Sequence, residues 1–454
     1  MSEPPGVSVV VPCRNHAPYL AERLASILGQ TVSPMELIFL DDGSTDGSFE
    51  AAQAFAADPR LRLVRAEPPT GSPFAAWRLG LSQARGRLVW IAESDDACEP
   101  DFLAGLVPLF AADPGLGLAY CQSLAIDAAG RVTGTLAGHT DAVDGLRWRA
   151  DFLAEGPEEC RRALLLRNTI PNASACLFRA EALRAALPAA AGYQVCGDWA
   201  VYAALLGAGW RLAFRAAPNN RFRRHAASQQ ADLARSGLEI AETVRVKQAI
   251  LAAVGGDAET VAASSAMTLE RLVELAAQAG AVAASGWFAD GKLLDDLLAF
   301  DPHFLAGLAG GSPGRYFLCD VYAGGEGGLA ESRKASLRYP PNRPATLSLF
   351  CPAGPLRLDP TQAPGLVRLR GVTLSGEDGR LLAAWQGEGL RALTPGGTGI
   401  VVACDAAGLL LWSHGGDPWL LLPQVAASGA RVRLDIQLTG YSLTPGLTPF
   451  PGKV

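Results

Sequence analysis

Three segments of this 454-residue chain decide its fold: VSVVVPCRN at residues 7–15, LIFLDDGSTD at 37–46 and RLVWIAESDD at 87–96. Each contains a short apolar run that ends in a polar cluster. A continuous run such as Val7–Val11, rather than an alternating one, is expected of a parallel strand covered on both faces. The text between the runs has helical spacing. Pro18 opens a helix with Leu20, Leu24, Ile27 and Leu28 on its apolar side, closed by Gly29. A second helix is expected around Phe49–Phe55, a third strand at Leu61–Val64, and a third helix from Ser72 and Pro73 that buries Phe74, Trp77 and Leu81. Strand Leu88–Ala92 follows. This alternation predicts an α/β domain with a largely parallel sheet, over residues 1–226.

Composition shifts downstream. Residues 227–314 are Ala- and Leu-rich with helical spacing (Leu269, Leu272, Val273, Ala276), and the Gly-rich stretch Gly307–Gly314 reads as a boundary. Residues 315–454 carry short β-type runs, Leu366–Leu369, Ile400–Ala403 and Val432–Leu438, between Pro/Gly turns. That spacing predicts an all-β, sandwich-like domain, for carbohydrate binding or for assembly into a homo-oligomer. Trp148, Trp287, Trp385, Trp412 and Trp419 invite a sugar-stacking reading, but buried core aromatics are the simpler expectation for each.

With 49% hydrophobic and 19% charged residues, the chain suits two or three globular domains. A net charge of −6 argues against a protein whose main work is gripping nucleic acid. No apolar run reaches bilayer length, and the start MSEPPGVSVVVPCRN lacks the basic end of a secretory signal. Nine scattered cysteines without a CxxC pair fit reduced thiols better than a disulfide framework, so a cytoplasmic setting is expected.

In a parallel α/β sheet, ligands sit beyond the carboxyl ends of the strands. Here those ends read Pro12-Cys13-Arg14-Asn15, Asp41-Asp42-Gly43-Ser44-Thr45-Asp46 and Glu93-Ser94-Asp95-Asp96. DDGSTD alone also reads as a solvated turn with a helix cap. Three such clusters on one rim, two of them acidic, are electrostatically costly unless a cation or hydrogen-bond donors compensate. The joint reading is a divalent metal holding a phosphorylated ligand. Neither GxGxxG nor GxxxxGK[ST] follows the first strand, which disfavours a dinucleotide fold or a P-loop.

VSVVVPCRNHAPYLAERLASILGQT, followed by LIFLDDGSTDGS and GRLVWIAESDD, resembles the family 2 glycosyltransferases of the GT-A fold, over roughly the first 225 residues. The resemblance implies a Rossmann-like, mainly parallel domain that moves a sugar from a nucleotide diphosphate, a UDP- or dTDP-sugar, usually with inversion. The acceptor it implies is a glycan or lipid-linked glycan in bacterial surface-polysaccharide or O-antigen assembly, at the inner membrane face. Carried over, Pro12, Arg14 and Asn15 lie in the nucleotide loop, and Asp42 with Asp41 contacts the base. Glu93-Ser94-Asp95 takes the DxD position, with Glu in place of the first Asp. Glu93 and Asp95 then face ribose and a Mg²⁺ or Mn²⁺ ion, and Asp96 and His225 are further metal candidates.

In Asn168-Thr169-Ile170-Pro171-Asn172-Ala173-Ser174, similar to a segment lining the donor-sugar pocket, Asn172 and Ser174 are the candidates; on chemistry alone the loop also reads as a turn. Asp198, in Cys196-Gly197-Asp198-Trp199, falls where the family carries its general base, with Trp199 beside it. From spacing alone Asp198 also reads as a helix N-cap. An alcohol nucleophile must lose a proton as it attacks, which requires such a carboxylate. Arg224, in the run NRFRRH ending at His225, is placed near the diphosphate or the acceptor.

Overall fold

Val7–Cys13 forms β1, and every one of its residues is buried, as its apolar run requires. The computed structural model describes residues 6–32, 35–225, 237–279, 287, 292–301, 317–325, 328–339, 344–361, 365–425 and 431–442. The expected boundary at Gly307–Gly314 lies outside these. After β1 come α1 (Ala17–Leu28), β2 (Met35–Asp41), α2 (Ser48–Gln53), β3 (Leu61–Arg65), α3 (Pro73–Gln83) and β4 (Leu88–Ile91). Strand and helix therefore alternate as the periodicity predicts. β1 pairs in parallel with β2, from Val7 opposite Met35 to Cys13 opposite Asp41, and with β4, from Val7 opposite Leu88 to Val10 opposite Ile91.

The remaining elements of this half are β5 (Ala97–Cys98), α4 (Phe102–Ala112), β6 (Leu116–Ile126), β7 (Val132–Thr135), β8 (Phe152–Ala154), α5 (Gly156–Glu159), β9 (Cys176–Arg179), α6 (Ala180–Ala186), α7 (Gly197–Gly207) and β10 (Arg211–Arg223). The sheet runs β3-β2-β1-β4-β9-β6-β10-β5, with β7 and β8 paired at β6 and β10. β9 is antiparallel to both β4 and β6, and β10 is parallel to β6. β6 and β10 therefore point the same way as β1, β2 and β4. One rim of the sheet collects the carboxyl ends of β1, β2, β4 and β10 together with the chain entering β9. That convergence positions the site.

α1 shows how sequence becomes packing. Leu20, Leu24 and Ile27 are wholly buried against β1 and β2, a stripe at helical spacing. Arg23 is buried with them at 0% exposure. Its guanidinium lies 5.0 Å over the Trp90 ring, and none of its three nitrogens has a hydrogen-bond partner among the described residues.

Helices follow at Leu238–Val254, Ala258–Ala279 and Lys292–Phe300, then β11 (Phe317–Gly325), β12 (Gly328–Tyr339), β13 (Ala345–Pro352), β14 (Leu356–Asp359), β15 (Gly365–Gly376), β16 (Leu381–Gln386), β17 (Thr394–Asp405), β18 (Gly408–Leu421) and β19 (Arg431–Ser442). All pairings among these strands are antiparallel. β15 changes partner along its length: residues 365–369 pair with β18, and 371–375 with β16. The strands enclose their own core of Val321, Leu358, Val367, Leu369, Leu411, Leu434 and Ile436. The chain separates into two units, residues 1–233 with 242–264, and residues 234–241 with 265–454. Trp148, Trp287 and Trp412 are buried. Among the described residues, no helix is long and apolar enough to cross a membrane.

Candidate active site

The strand ends of the first unit enclose a cavity of about 630 Å³, within the range of small-molecule sites. Pro12, Arg14 and His16 line it from the end of β1, Asp42 from the end of β2, and Glu93, Ser94, Asp95 and Asp96 from the end of β4. Asn172 faces it from the entry to β9, Asp198 from α7, and Arg224 and His225 from the end of β10. Asn15, Asp41, Ser174 and Trp199 do not line it.

Asp41, Ser174 and Trp199 are buried behind the wall, and Asn15 is exposed. Asn15 adopts a left-handed backbone (φ 59°), a conformation asparagine tolerates better than most residues. Its Oδ1 accepts from the Thr45 N–H at 2.8 Å and its own N–H donates to Ser44 Oγ at 3.0 Å, so it ties the first loop to the second. Asp41 is buried and accepts from the Ser44 N–H. Ser174 Oγ accepts from the Glu93 N–H at 2.9 Å, and its carbonyl accepts from Trp90 Nε1. Ser174 thereby fixes where the β4 loop leaves the sheet. Trp199 is a core side chain, only 4% exposed.

At one side of the cavity, Asp42 accepts from both the N–H and the hydroxyl of Thr70. Its carboxylate is thus oriented by the loop before α3. Glu93 accepts from Trp77 Nε1 at 2.9 Å. Burial, reinforced by the charge of Asp95, pushes the Glu93 carboxyl up to about 8. Asp96 is 1% exposed and its oxygens accept from the Arg223 N–H (2.8 Å) and the Asn172 amide (3.2 Å). Burial and the neighbouring Asp95 raise it to about 6. Asp96, expected as a metal candidate, therefore has its oxygens engaged by the protein.

Asp95 differs. Burial acts to raise its carboxyl, but the hydrogen bond from His225 and the charge of His16 outweigh burial and hold it below its ordinary range. His225 Nε2 lies 3.1 Å from Asp95 Oδ2, and His16 Nε2 lies 4.0 Å from the same oxygen. His16 Nδ1 is hydrogen-bonded to Ser94 Oγ at 2.7 Å, and burial lowers its pKa. Donor atoms of His16, Asp95 and His225 fall within 4.8 Å of one another. His225 Nδ1 is buried with no partner among the described residues. Two imidazoles and an ionised carboxylate form a donor set that fits a divalent cation.

Asp198 lies in the first turn of α7, whose cap position is held by Cys196, so the capping alternative does not describe it. Its Oδ1 accepts from the Trp199 N–H at 2.6 Å. Burial pushes it up to about 6, against the hydrogen bonds from Trp199 and the Asn168 side chain. Glu242 anchors the preceding loop by accepting from the N–H groups of Gln194, Val195 and Cys196.

His16 and Thr70 carry no expectation from the sequence, Trp77 is expected only as a core residue of the third helix, and Arg223 only as part of the basic run ending at His225. His16 follows Asn15 directly and is one of only five histidines, which was the available signal. Thr70 and Trp77 carry no local signature, because their roles depend on contacts 28 and 16 residues away.

Residues 8–154 match the family model described as Glycosyl transferase family 2. This part of the chain is a family 2 glycosyltransferase domain. Over 101 residues it is 40% identical to glycosyltransferase GlyG of Streptococcus pneumoniae, spanning 22% of this chain and 33% of that protein. Over 117 residues it is 32% identical to the chondroitin synthase of Pasteurella multocida, spanning 26% of this chain and 12% of the other. The matches therefore cover a third or less of these relatives. Among solved structures, S. aureus TarS 1–349 in complex with UDP-GlcNAc superposes with a TM-score of 0.46 at 12% identity, covering 68% of this chain and 93% of that one. The mannosyltransferase PcManGT of Pyrobaculum calidifontis, in complex with GDP-Man and Mn²⁺, gives 0.39 at 21% identity, covering 67% and 88%.

Proposed function

We propose that the first unit transfers a glycosyl group from a nucleotide diphosphate sugar to an acceptor hydroxyl, with inversion and with a divalent cation. The observation that carries this reading is a single cavity holding three chemically distinct carboxylates: Asp42 fixed by Thr70, Asp95 ionised beside two histidines, and Asp198 raised to about 6.

Asp42 offers only acceptors, which suits the ring N–H of uracil or thymine in a UDP- or dTDP-sugar. Pro12 and Arg14 flank the nucleotide, and Glu93 faces the ribose. Asp95 and His225 are the residues that would hold Mg²⁺ or Mn²⁺; when bound, the ion neutralises charge on the diphosphate. Asn172, held against Asp96, borders the donor sugar, and Arg224 meets the diphosphate or the acceptor. Asp198 removes the proton from the acceptor hydroxyl. A pKa near 6 leaves it ionised at neutral pH yet basic enough to take that proton, the compromise a general base requires. The acceptor class we favour is a glycan or lipid-linked glycan.

Calorimetric titration with UDP, dTDP, GDP and CDP, with and without MnCl₂, tests the reading. We expect one nucleotide to bind in a metal-dependent way, and Asp95→Ala to abolish that dependence. Absence of binding by all four would overturn it.

A further inference from the structure

We propose that His16 is a third protein ligand of the cation, beside Asp95 and His225, and that this imidazole-rich set makes the nucleotide-free protein select first-row transition ions such as Mn²⁺ over Mg²⁺. This rests on the proposed function only in placing a cation at Asp95.

The backbone aims His16 at the site. The left-handed turn at Asn15 ends β1, and the His16 N–H is fixed by Ser48 Oγ at 3.0 Å. Ser94 Oγ then occupies Nδ1 at 2.7 Å, leaving Nε2 as the atom that faces Asp95, 4.0 Å from Oδ2. A ligating histidine is ordinarily oriented in this way, through a hydrogen bond at its other ring nitrogen. The His225 ring stands edge-on to that of His16, centroids 5.8 Å apart, so both ring edges meet the same carboxylate. The His225 side chain is 3% exposed, and its Nδ1 is buried without a partner among the described residues.

The donor set decides the preference. Mg²⁺ favours oxygen ligands and keeps several waters, so it needs the substrate diphosphate to complete its shell. Imidazole nitrogen favours transition ions, with affinity rising from Mn²⁺ to Co²⁺ and beyond. Two nitrogens and one carboxylate already in place should therefore hold Mn²⁺ before any nucleotide arrives. Ions bound at roughly 2.0–2.2 Å draw their donors closer than 4.8 Å, which side-chain rotations of His16 and Asp95 at the cavity wall can supply.

The test uses the full chain and the metal salts alone. Loss of the free-ion paramagnetic resonance signal measures MnCl₂ affinity, and MgCl₂ serves as competitor. We expect Mn²⁺ to bind without nucleotide, with Mg²⁺ at least 100-fold weaker, and His16→Ala to weaken Mn²⁺ tenfold or more. Pulsed resonance on wild-type protein should detect two imidazole nitrogens on the ion, a readout that needs no variant. Mn²⁺ binding by His16→Ala within threefold of wild type, a single imidazole nitrogen, or equal affinities for Mg²⁺ and Mn²⁺ would each overturn the proposal. The nucleotide titration separates the two readings: if a nucleotide still binds in a metal-dependent way while His16→Ala leaves Mn²⁺ affinity unchanged, only the role of His16 fails.

Discussion

Replacing Asp198 by Asn should trade stability for activity, and pH sets the terms. As general base, the carboxylate contributes about 10²–10⁴ in rate, so Asp198→Asn should lower kcat by at least a hundredfold with little change in KM for the nucleotide sugar. Because burial raises Asp198 to about 6, wild-type kcat should fall roughly tenfold between the neutral plateau and pH 5; an ordinary carboxylate would still be ionised there. Stability should move the other way. The native state favours the protonated carboxyl, so the advantage is complete below the unfolded value of 3.8 and is lost as pH rises through 6. Asn does not titrate and escapes that loss. A shift of two pKa units is worth ~3 kcal/mol at pH 8 and about half that at pH 5. Asp198 opens onto the cavity, so solvent discounts both figures, and the effect stays larger at pH 8 than at pH 5. Urea denaturation of the two proteins at pH 5 and pH 8, beside a pH–rate profile of nucleotide release, measures everything required. A variant with kcat within tenfold of wild type, or one whose stability gain over wild type is no larger at pH 8 than at pH 5, would refute the assignment.

Three further outcomes follow from single contacts. Thr70→Val removes the hydroxyl that donates to Asp42 at 2.8 Å but leaves the backbone donor; nucleotide Kd by calorimetry should rise about tenfold, for ~1.4 kcal/mol of lost orientation. Arg23→Met removes a buried countercharge to Glu93 and Asp96. At pH 8 Asp96 is ionised and Glu93 about half so, and denaturation should show a loss of ~1–3 kcal/mol, whereas at pH 5 both are largely protonated and the variant should be neutral or more stable. Gly197→Ala places a Cβ 2.4 Å from the Phe74 ring; the start of α7 must shift, Tm should fall with ~1–3 kcal/mol of overpacking, and kcat should fall with it because Asp198 is the next residue.

The parallel half of the first sheet was legible because its signal is local. Val7–Val11, Leu37–Leu40 and Leu88–Ala92 are uninterrupted apolar runs, and each leads to a polar loop that reaches the rim. The antiparallel insertion of β9 between β4 and β6 was not legible, since register over distances of 60–90 residues leaves no periodic trace in either strand. The same limit divides the site. Asp42 and Asp95 stand out by type and placement at strand ends and Asp198 only through the family resemblance, while the division of labour between Asp95 and Asp96 leaves no local mark. It is decided by Arg223, whose N–H binds Asp96 while its Nε binds the Asp95 carbonyl at 2.6 Å. Asn15, Ser174 and Trp199 were read as ligand contacts from their place in the motifs. In the structure their side chains bind loops or fill the core and do not line the cavity, a placement that depends on which way a side chain turns.

A rim holding Glu93, Asp95, Asp96 and Asp198 would repel itself if all four were ionised without partners. The fold meets this differently at each carboxyl. Glu93 is buried against Trp77 and holds its proton up to about 8. Asp96 is engaged by Arg223, whose guanidinium also spans the carbonyls of Asp95 and Asp127 and the carboxylate of Glu22. Asp198 lies on α7 in the same cavity and is tuned by Trp199 and Asn168. Of the four, Asp95 is the one held below its ordinary range, by two histidines rather than by arginine. Histidine is the residue that can release a carboxylate to a metal and join it as a ligand, where an arginine could only compete. Substituting His225→Arg would therefore keep a hydrogen-bond donor beside Asp95 and still forfeit the cation, an outcome that separates electrostatic compensation from ligation.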